Sequence, residues 1–267
     1  MKTLSAQQKM FMVSVIAACC LVLGITAVSL LIPGRLAHHK GFRNAAVQSA
    51  QATTTQKESP QAAALGQKLV YDKNKKYVAL TFDDGPSKYT SQVLKVLREN
   101  NARATFFVVG AQVAGGKKVI KAAQSQGCQI ASHTYRHRNF PKVSLKLFKK
   151  DVKKTRSVIR SKTGIDTTYV RLPYGATNKK LNKALKAMGM RKVFWTHDTR
   201  DWSRPGVKKI VKRATKNVKN GSIILMHDGG GNRSQTLKAL PQIIAKLRAQ
   251  GYEFCTVDDL YRFGIRK

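Results

Sequence analysis

Acidic side chains are what this sequence has least of: 13 Asp and Glu stand against 50 Lys and Arg in 267 residues, a formal net charge of +37. So unbalanced a surface attracts polyanions, and wherever its few carboxylates cluster, the clustering carries information. Cysteine is also scarce. Of the four, Cys19 and Cys20 fall in an apolar N-terminal run, while Cys128 and Cys255 fall in strand-like stretches, "CQIAS" and "YEFCTV". That placement excludes a disulfide-stapled mini-domain and points to small buried thiols. No interleaved aromatic and basic pattern of the kind that stacks on bases is present, so the charge alone makes no case for a nucleic-acid partner.

Long charge-free runs are absent but for one. "MFMVSVIAACCLVLGITAVSLLI", residues 10–32, has 23 uncharged positions, enough for a helix to cross a hydrocarbon layer of ~30 Å. Lys2 and Lys9 precede it, which predicts a cytoplasmic N-terminus over 1–9 and an exported remainder. An uncleaved membrane anchor is the expectation; a cleaved secretory signal, or a lipid attached at Cys19 of "IAAC", are the alternatives, and all three export the domain beyond it. Residues 33–66 are rich in Ala, Gln, Thr and Ser and read as an extracytoplasmic linker without a core. The folded domain is expected over 67–267. It holds 44 of the basic residues and 12 of the acidic ones, a formal +32.

Within that domain short β-branched and aromatic runs alternate with amphipathic ones. "YVALTF", "ATFFVVG", "QIASH", "YVRLP", "KVFWTH", "SIILMH" and "YEFCTV" predict seven strands, with six helices between them. Serial βα units imply parallel strands joined by right-handed crossovers, and the length suits an α/β fold of the irregular (β/α)7-type barrel kind. In such barrels chemistry gathers where the strands end. Strand one ends in Asp83 and Asp84, strand three in His133 with His137 close behind, and strand four runs into Arg171 and Tyr174. Strand five leads to Asp198, Asp201 and Trp202, and strand six to His227 and Asp228. Five of the domain's 12 acids and three of its four histidines therefore fall on one rim. Asp with two His offers three N/O ligands to a divalent ion and leaves a position for water, as catalytic metal sites do.

In order along the chain stand "TFDDG" (81–85), "HTYRH" (133–137), "RLPYG" (171–175), "DTRDW" (198–202) and "LMHD" (225–228). Over residues 76–260 this set resembles the NodB-type polysaccharide deacetylases, carbohydrate esterase family 4, and among them the peptidoglycan N-acetylglucosamine deacetylases of Gram-positive bacteria. The resemblance implies a metal-dependent hydrolase that removes N-acetyl groups from a glycan. It implies that Asp84, His133 and His137 bind the metal, with zinc expected and cobalt, nickel or manganese as alternatives. Asp83 would be the general base, Arg171 the group that pairs with it, and the backbone N–H of Tyr174 a donor to the oxyanion. His227 would be the general acid, Asp201 its carboxylate partner, and Leu225 and Trp202 the walls of the acetyl pocket. Arg138 departs from the family, which often has Pro there. Asp198 receives no chemical step, Asp228 a structural one, and His197 reads as a half-buried strand histidine.

The motifs do not choose among acetylated glycans: peptidoglycan leads, with chitin oligomers, poly-N-acetylglucosamine and O-acetyl xylan as alternatives. Besides the glycan, the basic surface suggests anionic cell-wall polymers as partners, and the N-terminal helix a membrane. A non-catalytic wall-binding protein built on the same fold is the rival from another class; it would be marked by a missing ligand or base, and none is missing.

Overall fold

A computed structural model describes residues 67–267 of the chain. The expected anchor and linker, with their cysteines, lie outside the described residues. Among the described residues no helix is long and apolar enough to cross a membrane.

Among the described residues are eight parallel strands and seven α-helices, with a helix after every strand but β5. The order is β1 (Lys76–Asp83), α1 (Thr90–Glu99), β2 (Ala104–Val108), α2 (Lys117–Ser125), β3 (Gln129–Ser132) and α3 (Leu145–Thr163). Then come β4 (Tyr169–Val170), α4 (Lys179–Ala187), β5 (Arg191–Lys192), β6 (His197–Asp198), α5 (Val207–Thr215) and β7 (Ser222–His227). The chain closes with α6 (Ser234–Ala249), β8 (Tyr252–Phe254) and α7 (Val257–Arg262). The sheet runs β5-β4-β3-β2-β1-β7-β6, with β8 alongside the start of β1. Such a curved parallel sheet is consistent with a (β/α)7-type barrel.

One expectation needs correction. The single fifth strand predicted from "KVFWTH" is two two-residue strands, β5 on β4 and β6 on β7, so the ladder is open between them. The four residues between leave the ladder and turn Trp195 toward the site. The predicted run from 252 also ends as a strand at Phe254, and Thr256 caps the start of α7. Its hydroxyl and the Asp259 carboxylate cap the backbone reciprocally, a local signal that "TVDD" carries and that favours a helix over a longer strand.

β1 shows how sequence periodicity makes two cores. Successive side chains point to opposite faces. Val78, Leu80 and Phe82 meet the covering helices in one cluster with Phe106, Leu97, Ile210 and Ile244. Tyr77 and Ala79 face the other way, into a smaller cluster with Phe107, Ala131, Val193, Ile223 and Cys255. Phe82 stacks on Phe106 at 5.3 Å between ring centroids, so truncating Phe106 to alanine should cost about 3–5 kcal/mol. Cys128 and Cys255 are both buried and free. The same alternation puts Thr81 and Asp83 on the inner face, which is how β1 delivers a carboxylate to the barrel mouth.

Candidate active site

Asp83 and Asp84 are neighbours with different environments because the strand ends between them. Asp83 is the last residue of β1, still extended and 3% exposed. Asp84 has φ 72°, in the left-handed region that non-glycine residues adopt only under constraint, so its side chain swings onto a different course. Thr134, His137 and Tyr174 also have positive φ, at 67°, 49° and 62°. Such conformations cost about 1–3 kcal/mol each and persist where the surroundings over-determine them, and here they crowd one rim.

The two imidazoles of "HTYRH" converge on Asp84. Its Oδ1 lies 3.1 Å from His137 Nε2 and 3.4 Å from His133 Nε2, and one ligand atom from each residue fits within a 4.8 Å cluster. His133 Nδ1 is 2.9 Å from the Arg171 carbonyl. A carbonyl only accepts, so a ring proton sits on Nδ1, which turns Nε2 toward Asp84 as the atom that could bind a cation. Asp84 Oδ1 is buried and has no hydrogen-bond donor. Burial alone would raise the Asp84 pKa, but contacts with His133 and His137 outweigh it and hold the carboxyl well below the usual range. One carboxylate oxygen and two imidazole nitrogens, converging within 4.8 Å, form a donor set that fits a borderline divalent cation.

Asp83 borders that cluster, its Oδ2 3.8 Å from His133 Nε2, while Arg171 engages its other oxygen. The guanidinium is wholly buried; Nη1 donates to Asp83 Oδ1 and to Thr81 Oγ1, each at 2.8 Å, and its carbon stands 4.1 Å over the Phe107 ring. Burial pushes the Arg171 pKa down and Asp83 opposes the fall. A second buried pair sits beside the first, since Asp83 and His227 are register neighbours on β1 and β7. Asp201 Oδ1 lies 2.8 Å from His227 Nδ1, and Asp201 Oδ2 accepts from the His227 backbone N–H at 2.9 Å and from Thr236 Oγ1 at 2.6 Å. Burial would lower the His227 pKa; its hydrogen bond to Asp201 outweighs that and raises it. Burial would likewise raise Asp201, and His227 with Thr236 brings it down. The pair thus favours an imidazolium with Nε2–H free on the pocket side.

These groups open on one cavity of about 500 Å³. Leu225 is buried and Trp202 half exposed along its lining, and Tyr174 is exposed, with its ring edge-on to His137 at 4.9 Å. All ten residues singled out from the sequence therefore lie in or directly behind the cavity: eight line it, and Arg171 and Asp201 stand behind Asp83 and His227. Asp198 lines it too and accepts from the Arg200 N–H at 2.8 Å, a loop cap. Asp228 is structural: its carboxylate takes a hydrogen bond from Thr90, and its carbonyl one from Ser87. His197 is half-buried in β6, against Thr196 and the Lys216 carbonyl.

A model of the polysaccharide deacetylase family matches residues 71–193. A peptidoglycan-N-acetylglucosamine deacetylase of Bacillus cereus is 39% identical over 193 residues, covering 71% of this chain and 90% of that protein. The chain belongs to the polysaccharide deacetylase family. Another relative, the peptidoglycan-N-acetylglucosamine deacetylase PgdA of Listeria monocytogenes, is 36% identical over 190 residues; the match takes in 71% of this chain and 40% of the longer Listeria protein. Among solved structures, the peptidoglycan deacetylase PdaC from Bacillus subtilis superposes with a TM-score of 0.67 at 33% identity, over 73% of this chain and 94% of that one.

Three features of this deacetylase's pocket escaped the sequence reading. Trp195 and Leu172 line it, but as apolar residues in strand-like runs they look like core. Arg233 lines it from just before α6, one basic residue among many. The run Gly229–Gly231 did carry a signal: a Cβ at Gly229 would lie 1.9 Å from the Asp84 carbonyl oxygen, and one at Gly230 2.5 Å from Asp84 Oδ2. Only glycine lets the loop after β7 lie against the metal-ligand candidate.

Proposed function

We propose that this deacetylase removes N-acetyl groups from N-acetylglucosamine in peptidoglycan, outside a membrane to which residues 10–32 anchor it. The observation that carries the reading is the single cavity onto which one cation-binding cluster and two separate buried acid–base pairs all open. Asp84, His133 and His137 would hold a divalent ion, with zinc the expected one; bound there, it would supply Lewis acidity toward the acetyl oxygen and the attacking water.

The chain's own groups carry the rest. Asp83, oriented by Arg171 and not needed as a ligand, accepts the proton of the attacking water. The backbone N–H of Tyr174 donates to the acetyl oxygen as negative charge builds on it. Leu225 and Trp202 enclose the acetyl methyl. As the C–N bond breaks, His227 Nε2 delivers a proton to the departing amine, and acetate and a glucosamine unit leave. Asp201 keeps the imidazole charged for that step and fixes its tautomer. The strongly basic surface supports a location among anionic wall polymers, which would hold the enzyme beside its substrate.

The test is acetate release from purified peptidoglycan by the metal-loaded chain, with Asp84→Ala as control. The wild type should release acetate and the variant should lose both metal and activity. No release by the wild type, or equal release by the variant, would overturn the proposal.

A further inference from the structure

The pocket contains a buried cation that the reaction leaves without a task. Arg233 is 5% exposed, yet it forms no ion pair among the described residues. Its Nε donates to the Gly229 carbonyl at 2.6 Å, and Nη1 lies 3.5 Å from the carbonyls of Trp202 and Asn232. Arg171, the other buried guanidinium of the site, has Asp83. Burying a charge outside any ion pair is costly, and Asp84, the carboxylate that flanks Gly230 with it, belongs to the cation cluster, so Arg233 is left for an anion that arrives with the substrate.

A second cavity carries the same sign. A groove of about 540 Å³ is lined by Lys209, Lys212, Arg213 and Lys216, with His197 and Asp198, and Asp198 also lines the catalytic pocket. The lysines recur at helical spacing along α5 and its C-terminal cap, so they share one face. None of the four cations is ion-paired among the described residues; Arg213 donates to the Thr199 carbonyl at 3.1 Å. The groove's one carboxylate, Asp198, is engaged by the Arg200 N–H. Leu172, Tyr174 and Trp195 add uncharged surface to the pocket's lining. The site thus combines an apolar, aromatic lining with cations at Arg233 and in the adjoining groove.

We infer that the enzyme reads negative charge on its glycan, with Arg233 inside the pocket and the groove beyond Asp198 taking carboxylates on the units next to the sugar being deacetylated. Peptidoglycan carries such groups on its lactyl ethers and stem peptides; chitin oligomers carry none. The inference rests on the deacetylase function proposed for this site and specifies how the site selects its substrate.

The experiment compares acetate release by the metal-loaded full chain from two tetrasaccharides, a neutral N-acetylglucosamine oligomer and a peptidoglycan fragment bearing free carboxylates. Lys209→Gln/Lys212→Gln/Lys216→Gln should raise KM for the charged fragment about tenfold more than for the neutral one, the scale of a few exposed contacts, with kcat for the fragment kept. Arg233→Gln should show the same selectivity, and Arg233→Lys should restore part of it. Lys146→Gln/Lys149→Gln/Lys150→Gln, on α3 outside both cavities, controls for bulk charge and should leave the ratio unchanged. Equal losses on both substrates, no loss, or the same effect from the α3 control would overturn the inference. So would inhibition by a glycerol-phosphate polymer that depends on the groove lysines while the two substrates are not distinguished. If both tetrasaccharides are turned over without discrimination, only this inference fails; if neither is, the deacetylase function fails with it.

Discussion

Replacing Asp201 by asparagine tests the proposed acid directly, because the structure gives that carboxylate three acceptor duties that an amide cannot meet together. Its oxygens take hydrogen bonds from His227 Nδ1, the His227 backbone N–H and Thr236. Asparagine offers one oxygen and one NH2, so either one buried donor is stranded, at about 1–3 kcal/mol, or the imidazole gives up its Nδ1 proton to accept from the NH2, and the charge opposite the imidazolium is lost as well. Asp201→Asn should therefore lose about 2–4 kcal/mol of stability. The sign is set by both partners. His227 has a raised pKa, so its contribution is complete below the ordinary imidazole value of 6.5 and disappears as pH rises through the folded-state value. Asp201 has a lowered pKa, so its contribution is present above the ordinary 3.8 and lost as pH falls through the folded-state value. The gap between wild type and variant should be widest between those two values. In activity, the imidazole pKa falls once its partner is neutral. Initial rates of acetate release, measured from pH 5 to pH 10 with folding checked by circular dichroism at each point, should show the alkaline limb moved to lower pH. The deficit should be about 100-fold at its largest and smaller where the imidazole is still charged. A variant whose pH–rate profile has the wild-type shape would refute Asp201 as the group that keeps His227 protonated.

Two further outcomes rest on the packing around the metal-ligand candidates. Gly230→Ala places a Cβ 2.5 Å from Asp84 Oδ2 at a φ of +70°, so calorimetric titration with zinc should show metal affinity reduced about tenfold or more, while Gly189→Ala, whose Cβ meets nothing within 4 Å, should leave it unchanged. Asp228 is fully buried, and that burial pushes its pKa up to about 7, against an ordinary 3.8. A carboxyl raised in this way contributes stability below the ordinary value that is lost as pH rises toward 7, so in the metal-free chain Asp228→Asn should flatten the decline in thermal midpoint across that interval.

The rim was legible in the sequence because a parallel α/β chain reports its own geometry. Each strand of β-branched and aromatic residues stops at a chemically distinctive group, and topology brings those stops together; Asp83, His133, Arg171 and His227 were placed that way. The six helices between strands were legible for a similar reason, since "TSQVLKVLREN" or "KKLNKALKAMG" bury an apolar stripe whatever their partners. What stayed hidden depends on local backbone rather than pattern. "KVFWTH" has a strand's composition, but its two ends pair with different neighbours, and Trp195 faces the pocket only because the middle leaves the ladder. Arg233 was invisible among 50 basic residues, since what marks it is burial on the pocket, which no sequence pattern shows. The positive φ at Asp84, which turns two adjacent carboxylates onto different courses, has no sequence mark beyond the turn-forming "DDGP".

The central claim is that adjacent carboxylates divide the work, Asp84 binding the ion and Asp83 moving the proton, and Asp83→Asn measures that division most directly. The account predicts that the purified variant binds zinc with wild-type affinity by calorimetric titration and releases acetate from peptidoglycan at least about 100-fold more slowly than wild type. Wild-type acetate release by Asp83→Asn, or zinc binding lost together with activity, would contradict it.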